Sequence, residues 1–479
     1  MHTGQRIIKN SIVLTVSQVL SKFVNIGLIL VLTRLLGKDG FGVYSFSFAY
    51  VSLFGFLIHL GLITLLVREI AKHKDQTDTL LGSTFPIVII FSGITLLLMN
   101  TVAFALDWNT LERTIISIFG FYFVFDTFGR YFLAVARAFE KMEYVALTDI
   151  LERILLLCMA TICWLLQYSL IHLVILFAIV ELMKAVSGFV IVTKYFTRFK
   201  LIWWPEGTWS MLKEAYPFAL IGLFTIVSQR IDLIFLKYFY STDVVGIYSA
   251  ARKFIESLAF IPENIYFAVF PALSVLFISQ KEKFNLTFQR TFIALLTIAV
   301  PISAGLYILA PKIIHLLFEP EFKDAAIALR WLSIALLAIF IRYVFAAVLN
   351  TIGKQRLFAI IMGISMSVNI IMNLILIPKY QIAGASIAVI GSELTIIFCS
   401  LPVILKIMPF SWIKTFVPKI LIMGILMCII IFMVKDWALL PIVLLSASVY
   451  ILLLFILNLV SLKELKDYFN IFIEKYTKQ

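Results

Sequence analysis

The sequence is short of charge: only 14% of its 479 residues are Asp, Glu, Lys or Arg. A soluble domain carries about 25%, so a water-facing globular surface is excluded. Cysteine is scarce too. Cys158, Cys163, Cys399 and Cys428 lie scattered inside apolar runs, without metal-ligand spacing, which argues against both a disulfide framework and a zinc site. There is no Walker sequence, no GxGxxG, no His-x-x-x-His and no Ser-centred elbow. Neither nucleotide-driven export nor a familiar hydrolase is indicated, and no cofactor is implied.

What the chain has in excess is hydrocarbon. Hydrophobic residues make up 62% of it, in continuous runs and not in the alternating strands of about 10 residues that build a β-barrel. At about 20 apolar residues per helical crossing, Ser11 to Val460 holds about fourteen spans joined by short polar turns. The expected fold is an all-α polytopic membrane protein. Arg6 and Lys9 precede a first apolar run that continues to about Leu36 without a small-x-small cleavage site, so it reads as an uncleaved span.

A net charge of +13 raises nucleic acid as a partner, but the basic residues follow loops and form no single patch. Alternate loops, including those with Arg68, Lys72 and Lys74, Arg137 and Lys141, and Lys194, Arg198 and Lys200, hold about 23 Lys and Arg; the opposite loops hold about 7. This bias is topological. It predicts a multi-pass protein of the cell membrane with both termini in the cytoplasm, and no nucleic-acid partner.

The chain also repeats itself. Asp39-Gly-Phe-Gly42-Val-Tyr44-Ser45 recurs as Asp243-Val-Val-Gly246-Ile-Tyr248-Ser249, at an offset of about 204. Arg130-Tyr131 with Ala134 recurs as Arg342-Tyr343 with Ala346, and Glu181-Leu182 as Glu393-Leu394, at about 212. Six spans per half is an even number, so the halves form a parallel repeat, an arrangement that suits two lobes around a central cavity. The expected organisation is an N-terminal lobe at 1–196, an interfacial cytoplasmic linker at 197–213, a C-terminal lobe at 214–407, and a last stretch at 408–479. The linker sets Trp203, Trp204 and Trp209 beside Arg198 and Lys200, as the headgroup layer favours. The last stretch holds two nearly uncharged spans and a tail, Leu462 to Gln479, that reads as an amphipathic surface helix.

Charges inside spans are costly, so they are the candidate functional residues. The stretch Ser228 to Glu256 is the densest. The cations Lys22, Arg130, Arg230, Arg252 and Arg342 are candidates to line a wet cavity and bind an anion; the guanidinium fork matches phosphate oxygens. Asp126, Asp232, Glu256 and Glu393 are candidates to balance that charge, or to take up H+ or Na+ and couple transport to an ion gradient. In the alternative reading every arginine is consumed by a carboxylate in a structural network: Asp126 and Arg130 at i,i+4, and Glu181 and Lys184 at i,i+3, fit such internal pairs. Arg34 reads as a snorkelling residue and His59 as a packing residue. A membrane glycosyltransferase or polymerase is disfavoured, because the longest extracytoplasmic loop, Pro311 to Asp324, has only about fourteen residues.

Several stretches resemble the polysaccharide transporter family, the O-antigen flippases of the multidrug, oligosaccharidyl-lipid and polysaccharide exporter superfamily. They are Thr33-Arg-Leu-Leu-Gly37 with Gly42-Val-Tyr44, Ala250-Ala-Arg-Lys253 before Pro262, Leu349-Asn350 through Gly353-Lys354 to Asn369 and Asn373, and Ile382-Ala-Gly384-Ala-Ser-Ile-Ala388. The resemblance implies a flippase, not an enzyme, that moves a polyprenyl-pyrophosphate-linked oligosaccharide to the outer leaflet by alternating access. It further implies a cationic cavity, lipid contacts at the last two spans, and glycan polymerase or ligase machinery as a partner. A lipid II flippase and a multidrug/cation antiporter of the same superfamily are the alternatives; the second is usually twelve-spanning with an acidic cavity.

Overall fold

The computed structural model describes residues 3–203, 208–407, 412–457 and 459, with side chains from residue 17 onward apart from several between 208 and 221. The Leu462 to Gln479 tail and the middle of the 197–213 linker, including Trp204 and Pro205, lie outside the described residues. Among the described residues every regular element is a helix, as the continuous apolar runs require. Chain order begins α1 (Thr3–His59), α2 (Leu62–Lys72), α3 (Thr77–Ala105), α4 (Thr110–Ala138), α5 (Met142–Leu165), α6 (Leu170–Tyr195) and α7 (Thr208–Phe239). It continues with α8 (Thr242–Leu258), α9 (Phe260–Ser279), α10 (Lys281–Leu317), α11 (Ala325–Thr351), α12 (Gln355–Leu405), α13 (Ile413–Met433) and α14 (Leu439–Ile456). Ten helical segments among the described residues are long and apolar enough to cross a membrane.

Four features of the helices go beyond what the apolar runs alone define. The turn between the first two spans is a single residue, Gly37, at φ 60°, with helix on both sides. The second span is broken at Leu60 (φ 43°) and Gly61 (φ 79°), where the Gly61 N–H donates to His59 Nδ1 at 3.2 Å. The long run from Val244 breaks at Ala259, between α8 and α9. That is three residues ahead of Pro262, because the proline ring clashes with the carbonyl four positions earlier, at Leu258. Finally, α10 runs on through Pro311 to Leu317, so the loop before Asp324 is shorter than expected. A second internal break, at Gln381 (φ 48°), divides α12.

Packing divides the chain into two compact units. The first comprises Met1–Ser257, Leu317–Ala325 and Met362–Ala388, the second Leu258–Leu316, Ala326–Ile361 and Val389–Gln479. These follow packing, not the repeat, so the first unit takes in α7 and most of α8. In the second, α13 and α14 bury Met423, Met427, Ile431, Ile442 and Tyr450 against Leu309 of α10, and the Tyr450 hydroxyl donates to the Thr297 carbonyl at 3.0 Å.

Two glycine crossings organise the first unit. A Cβ on Gly42 would stand 1.7 Å from the Thr242 carbonyl oxygen, and one on Gly246 would stand 2.0 Å from the Lys38 carbonyl oxygen. Lys38 and Thr242, like Gly42 and Gly246, are equivalent positions of the repeat, so the contact is reciprocal. Lys38 Nζ sits 3.4 Å from Asp243 Oδ2, while the Lys38 N–H donates to Glu321 Oε1 at 2.9 Å. The second crossing brings α4 against α6. A Cβ on Gly129 would lie 3.2 Å from Lys184 Cγ, and one on Gly188 would lie 3.3 Å from the Gly129 carbonyl oxygen. Small residues let membrane helices approach this closely.

Candidate functional site: a cationic cavity beside a buried carboxylate nest

The α4–α6 crossing carries Lys184 into a nest of carboxylates. Its Nζ lies 2.5 Å from Glu152 Oε2, 3.4 Å from Asp126 Oδ1, 3.7 Å from Asp149 Oδ1 and 3.9 Å from Glu181 Oε2. Asp126, Glu152, Glu181 and Lys184 are all buried. Two arginines complete the nest from its edge. Arg130 Nε donates to Asp126 Oδ1 at 2.9 Å across one helical turn, and Arg153 Nη2 lies 3.4 Å from Glu152 Oε1. Both keep much of the guanidinium free: the side chain of Arg130 is 53% exposed and that of Arg153 40%. The expected i,i+4 pair is therefore present, and Asp126 is shared with a lysine from another helix.

The free side of Arg130 faces a cavity of about 220 Å³. Its polar lining is Ser52 and His59 of α1, Asp126, Thr127 and Arg130 of α4, and Gln229 and Arg230 of α7. Arg230 Nη1 donates to Glu256 Oε1 at 3.0 Å, and its guanidinium lies 5.9 Å from the Phe48 ring centroid, within cation–π range. Phe48 also walls a second cavity of about 80 Å³, lined by Asn25, Tyr44, Tyr122, Arg153 and Lys253. Lys253 Nζ lies 5.4 Å from the same ring and 3.5 Å from Glu256 Oε2. Glu256 thus serves Arg230, Arg252 and Lys253 together, and the linings of the two cavities set Arg130, Arg230, Arg153 and Lys253 against one carboxylate, Asp126. Two adjoining spaces floored by guanidinium and ammonium groups suit a bulky anion.

Comparison with known proteins agrees with the fold. Residues 7–277 match the family described as polysaccharide biosynthesis protein. The chain belongs to that family. Residues 217–375 also match the MatE family. A putative O-antigen transporter of Shigella flexneri is 22% identical over 80% of this chain and 94% of its own length. An uncharacterised membrane protein of Methanocaldococcus jannaschii is 23% identical over 74% of this chain and 72% of its own length. Among solved structures, the lipid II flippase MurJ in an inward closed conformation superposes with a TM-score of 0.76, at 17% identity, over 93% of this chain and 98% of its own. An inward-facing multidrug resistance MATE transporter superposes at 0.67, with 15% identity, over 83% of this chain and 98% of its own. At these identities the structures establish the shared fold. This family member is a multi-pass membrane transporter of the same superfamily.

Of the expected site residues, the structure places Arg130, Arg230 and Asp126 on one cavity. Arg252 lies behind it. Its guanidinium pairs with the fully buried Asp232, donates to the Gln229 carbonyl at 2.6 Å and the Tyr248 hydroxyl at 3.1 Å, and reaches Glu256 Oε1 at 3.2 Å. Tyr248 donates to Asp232 Oδ2 at 2.6 Å. We expect Arg252→Ala to lower membrane levels by leaving Asp232 buried without its cation, a loss of about 3–5 kcal/mol. Immunoblots of membrane fractions check this; normal levels with lost transport would return Arg252 to the binding surface. Arg342 belongs to the second unit, where its Nε donates to Glu393 Oε2 at 2.7 Å and its guanidinium lies 4.5 Å from the Tyr343 ring centroid. Lys22 is half-buried, with no ion-pair partner among the described residues, and lines neither cavity. Arg153, Glu152 and Asp149 were missed as site residues, whereas Lys253 belongs to the charge-dense Ser228 to Glu256 stretch. The signal was there: three ionisable side chains within five positions, Asp149, Glu152 and Arg153, inside an expected span.

Proposed function

We propose that the protein is a flippase that carries a polyprenyl-pyrophosphate-linked oligosaccharide from the cytoplasmic to the outer leaflet of the cell membrane, with the pyrophosphate held at Arg130 and Arg230. The carrying observation is that these arginines come from opposite halves of the repeat, at α4 and α7, yet line one cavity. In this reading the repeats at 1–196 and 214–407 are the lobes that exchange access, both termini are cytoplasmic, and glycan-assembly enzymes work alongside. The family description and the O-antigen in the name of the Shigella relative support a glycan cargo. Surplus cations at the cavity wall argue against a carrier of drug cations.

The site makes its own test interpretable. Removing Arg130 leaves Asp126 with Lys184, and removing Arg230 leaves Glu256 with Arg252 and Lys253. Neither change strands a buried carboxylate, so both variants should reach normal membrane levels. Arg130→Ala and Arg230→Ala should each cut glycan export on the order of 10- to 100-fold, the loss of a charge-assisted hydrogen-bond pair. The lysine variants should fall between, since they keep the charge and lose the fork. The measurement is surface glycan in a strain lacking its own flippase. Wild-type export by both alanine variants would overturn the reading.

A further inference from the structure

Glu181 stands apart from the rest of the nest. It is fully buried, neither of its oxygens makes a well-aligned hydrogen bond among the described residues although the Tyr122 hydroxyl faces it, and its nearest cation, Lys184 Nζ, is at 3.9 Å, beyond hydrogen-bond reach. The other carboxylates are better served: Asp126 by Arg130, Glu152 by Arg153 and both by Lys184, while Asp149 is partly exposed. Arg137 also stands near Asp149 and Asp126, so Glu181 is the one carboxylate of the nest that no cation meets at hydrogen-bond distance. A buried carboxylate without a close cation is costly as an anion and is relieved by a proton.

The two edge cations of this nest are also the cations presented to the cavities, Arg130 to the larger and Arg153 to the smaller. An anion bound there draws on the charge that compensates Asp126 and Glu152, and their repulsion of an ionised Glu181 rises. We propose that Glu181 is a proton-binding site linked to the cavity, taking up about one proton as an anionic headgroup binds and giving it up as the headgroup leaves. The proton adds from water to a Glu181 carboxylate oxygen, and no other bond forms or breaks. The groups facing it are Tyr122, Asp126 and Arg130 of α4, Asp149, Glu152 and Arg153 of α5, and Lys184 of its own helix. Lys184 Nζ fills the centre of the nest, where a metal cation would otherwise sit, which leaves the proton as the ion that fits. Its effect is to lower the net charge of the loaded site before that site reorients. The inference rests on the anion-site reading above.

The test uses the full-length protein in detergent with farnesyl pyrophosphate as the probe. Titration calorimetry in two buffers of different ionisation enthalpy counts protons taken up on binding, for wild type and Glu181→Gln. Comparing the two proteins cancels the titration of the probe itself. The wild type should take up about one proton more than the variant. Its affinity should weaken up to about tenfold per pH unit on the alkaline side, relative to a variant whose neutral amide binds with less pH dependence. As a second readout needing no variant, infrared difference spectra of the wild type should gain a protonated-carboxyl band on adding the probe at alkaline pH. Equal proton uptake by both proteins, absence of that band, or sodium-dependent binding unaltered in Glu181→Gln overturns the Glu181 assignment alone. Failure of the probe to bind, or binding unaffected by Arg130→Ala and Arg230→Ala, overturns the anion site and this inference with it.

Discussion

Lys184→Met should remove most of the folded protein from the membrane. Lys184 is the one cation in contact with all four carboxylates of the nest, and its loss leaves Glu152 and Asp126 with one edge arginine each and Glu181 with none. Breaking a buried ion pair from one side costs about 3–5 kcal/mol, against a total stability of about 5–15 kcal/mol for a typical domain. Membrane abundance and size-exclusion profiles after solubilisation measure the loss. The double change Lys184→Met with Glu181→Gln should recover part of it, because it removes the carboxylate that no other cation serves. Full abundance of Lys184→Met alone would mean that the nest is not held by charge.

The second large effect is expected at the reciprocal glycine crossing. Gly42→Val places a branched side chain where even a Cβ would stand 1.7 Å from a backbone oxygen, and Gly246→Val does the same at 2.0 Å. Real Cβ atoms do not approach backbone so closely, so the two helices must part. Overpacking in a filled core already costs about 1–3 kcal/mol, and here the clash is with backbone, which cannot rotate away. We expect both valine variants to lose transport. They should also lose the cross-link that a short bifunctional thiol reagent forms between cysteines placed at Lys38 and Asp243, whose side chains meet. Persistence of that cross-link in Gly42→Val would show that the crossing accommodates the side chain.

These two sites also show how far the sequence could be read. The glycine crossing was visible as a repeat, Gly42 against Gly246, because equivalent residues of a duplicated chain recur at one offset; that the copies touch is a tertiary fact. Spacing predicted the Asp126–Arg130 pair, since i and i+4 share a helix face. It could not reveal that Lys184, on a helix 58 positions away, takes the other side of Asp126, because that depends on the Gly129–Gly188 approach. Arg252 and Arg230 looked alike in sequence, both intramembrane arginines near Glu256. Three dimensions separate them: Arg252 is enclosed by Asp232, Tyr248 and the Gln229 carbonyl, whereas Arg230 reaches the cavity. Breaks within spans were legible only where proline or glycine marked them. The left-handed Leu60 stands beside Gly61, and Gln381 follows the polar stretch Pro378-Lys379-Tyr380 that separates two apolar runs.

The account turns on Arg130 and Arg230 recognising a pyrophosphate-linked glycan that crosses the bilayer. The most direct measurement is translocation of a polyprenyl-pyrophosphate-linked oligosaccharide in proteoliposomes, followed by its accessibility to an added glycosidase. Wild type should speed exposure of the glycan well above protein-free vesicles, while Arg130→Gln with Arg230→Gln, reconstituted at the same density, should fall to the protein-free background. Translocation by the double variant at the wild-type rate would contradict the central claim.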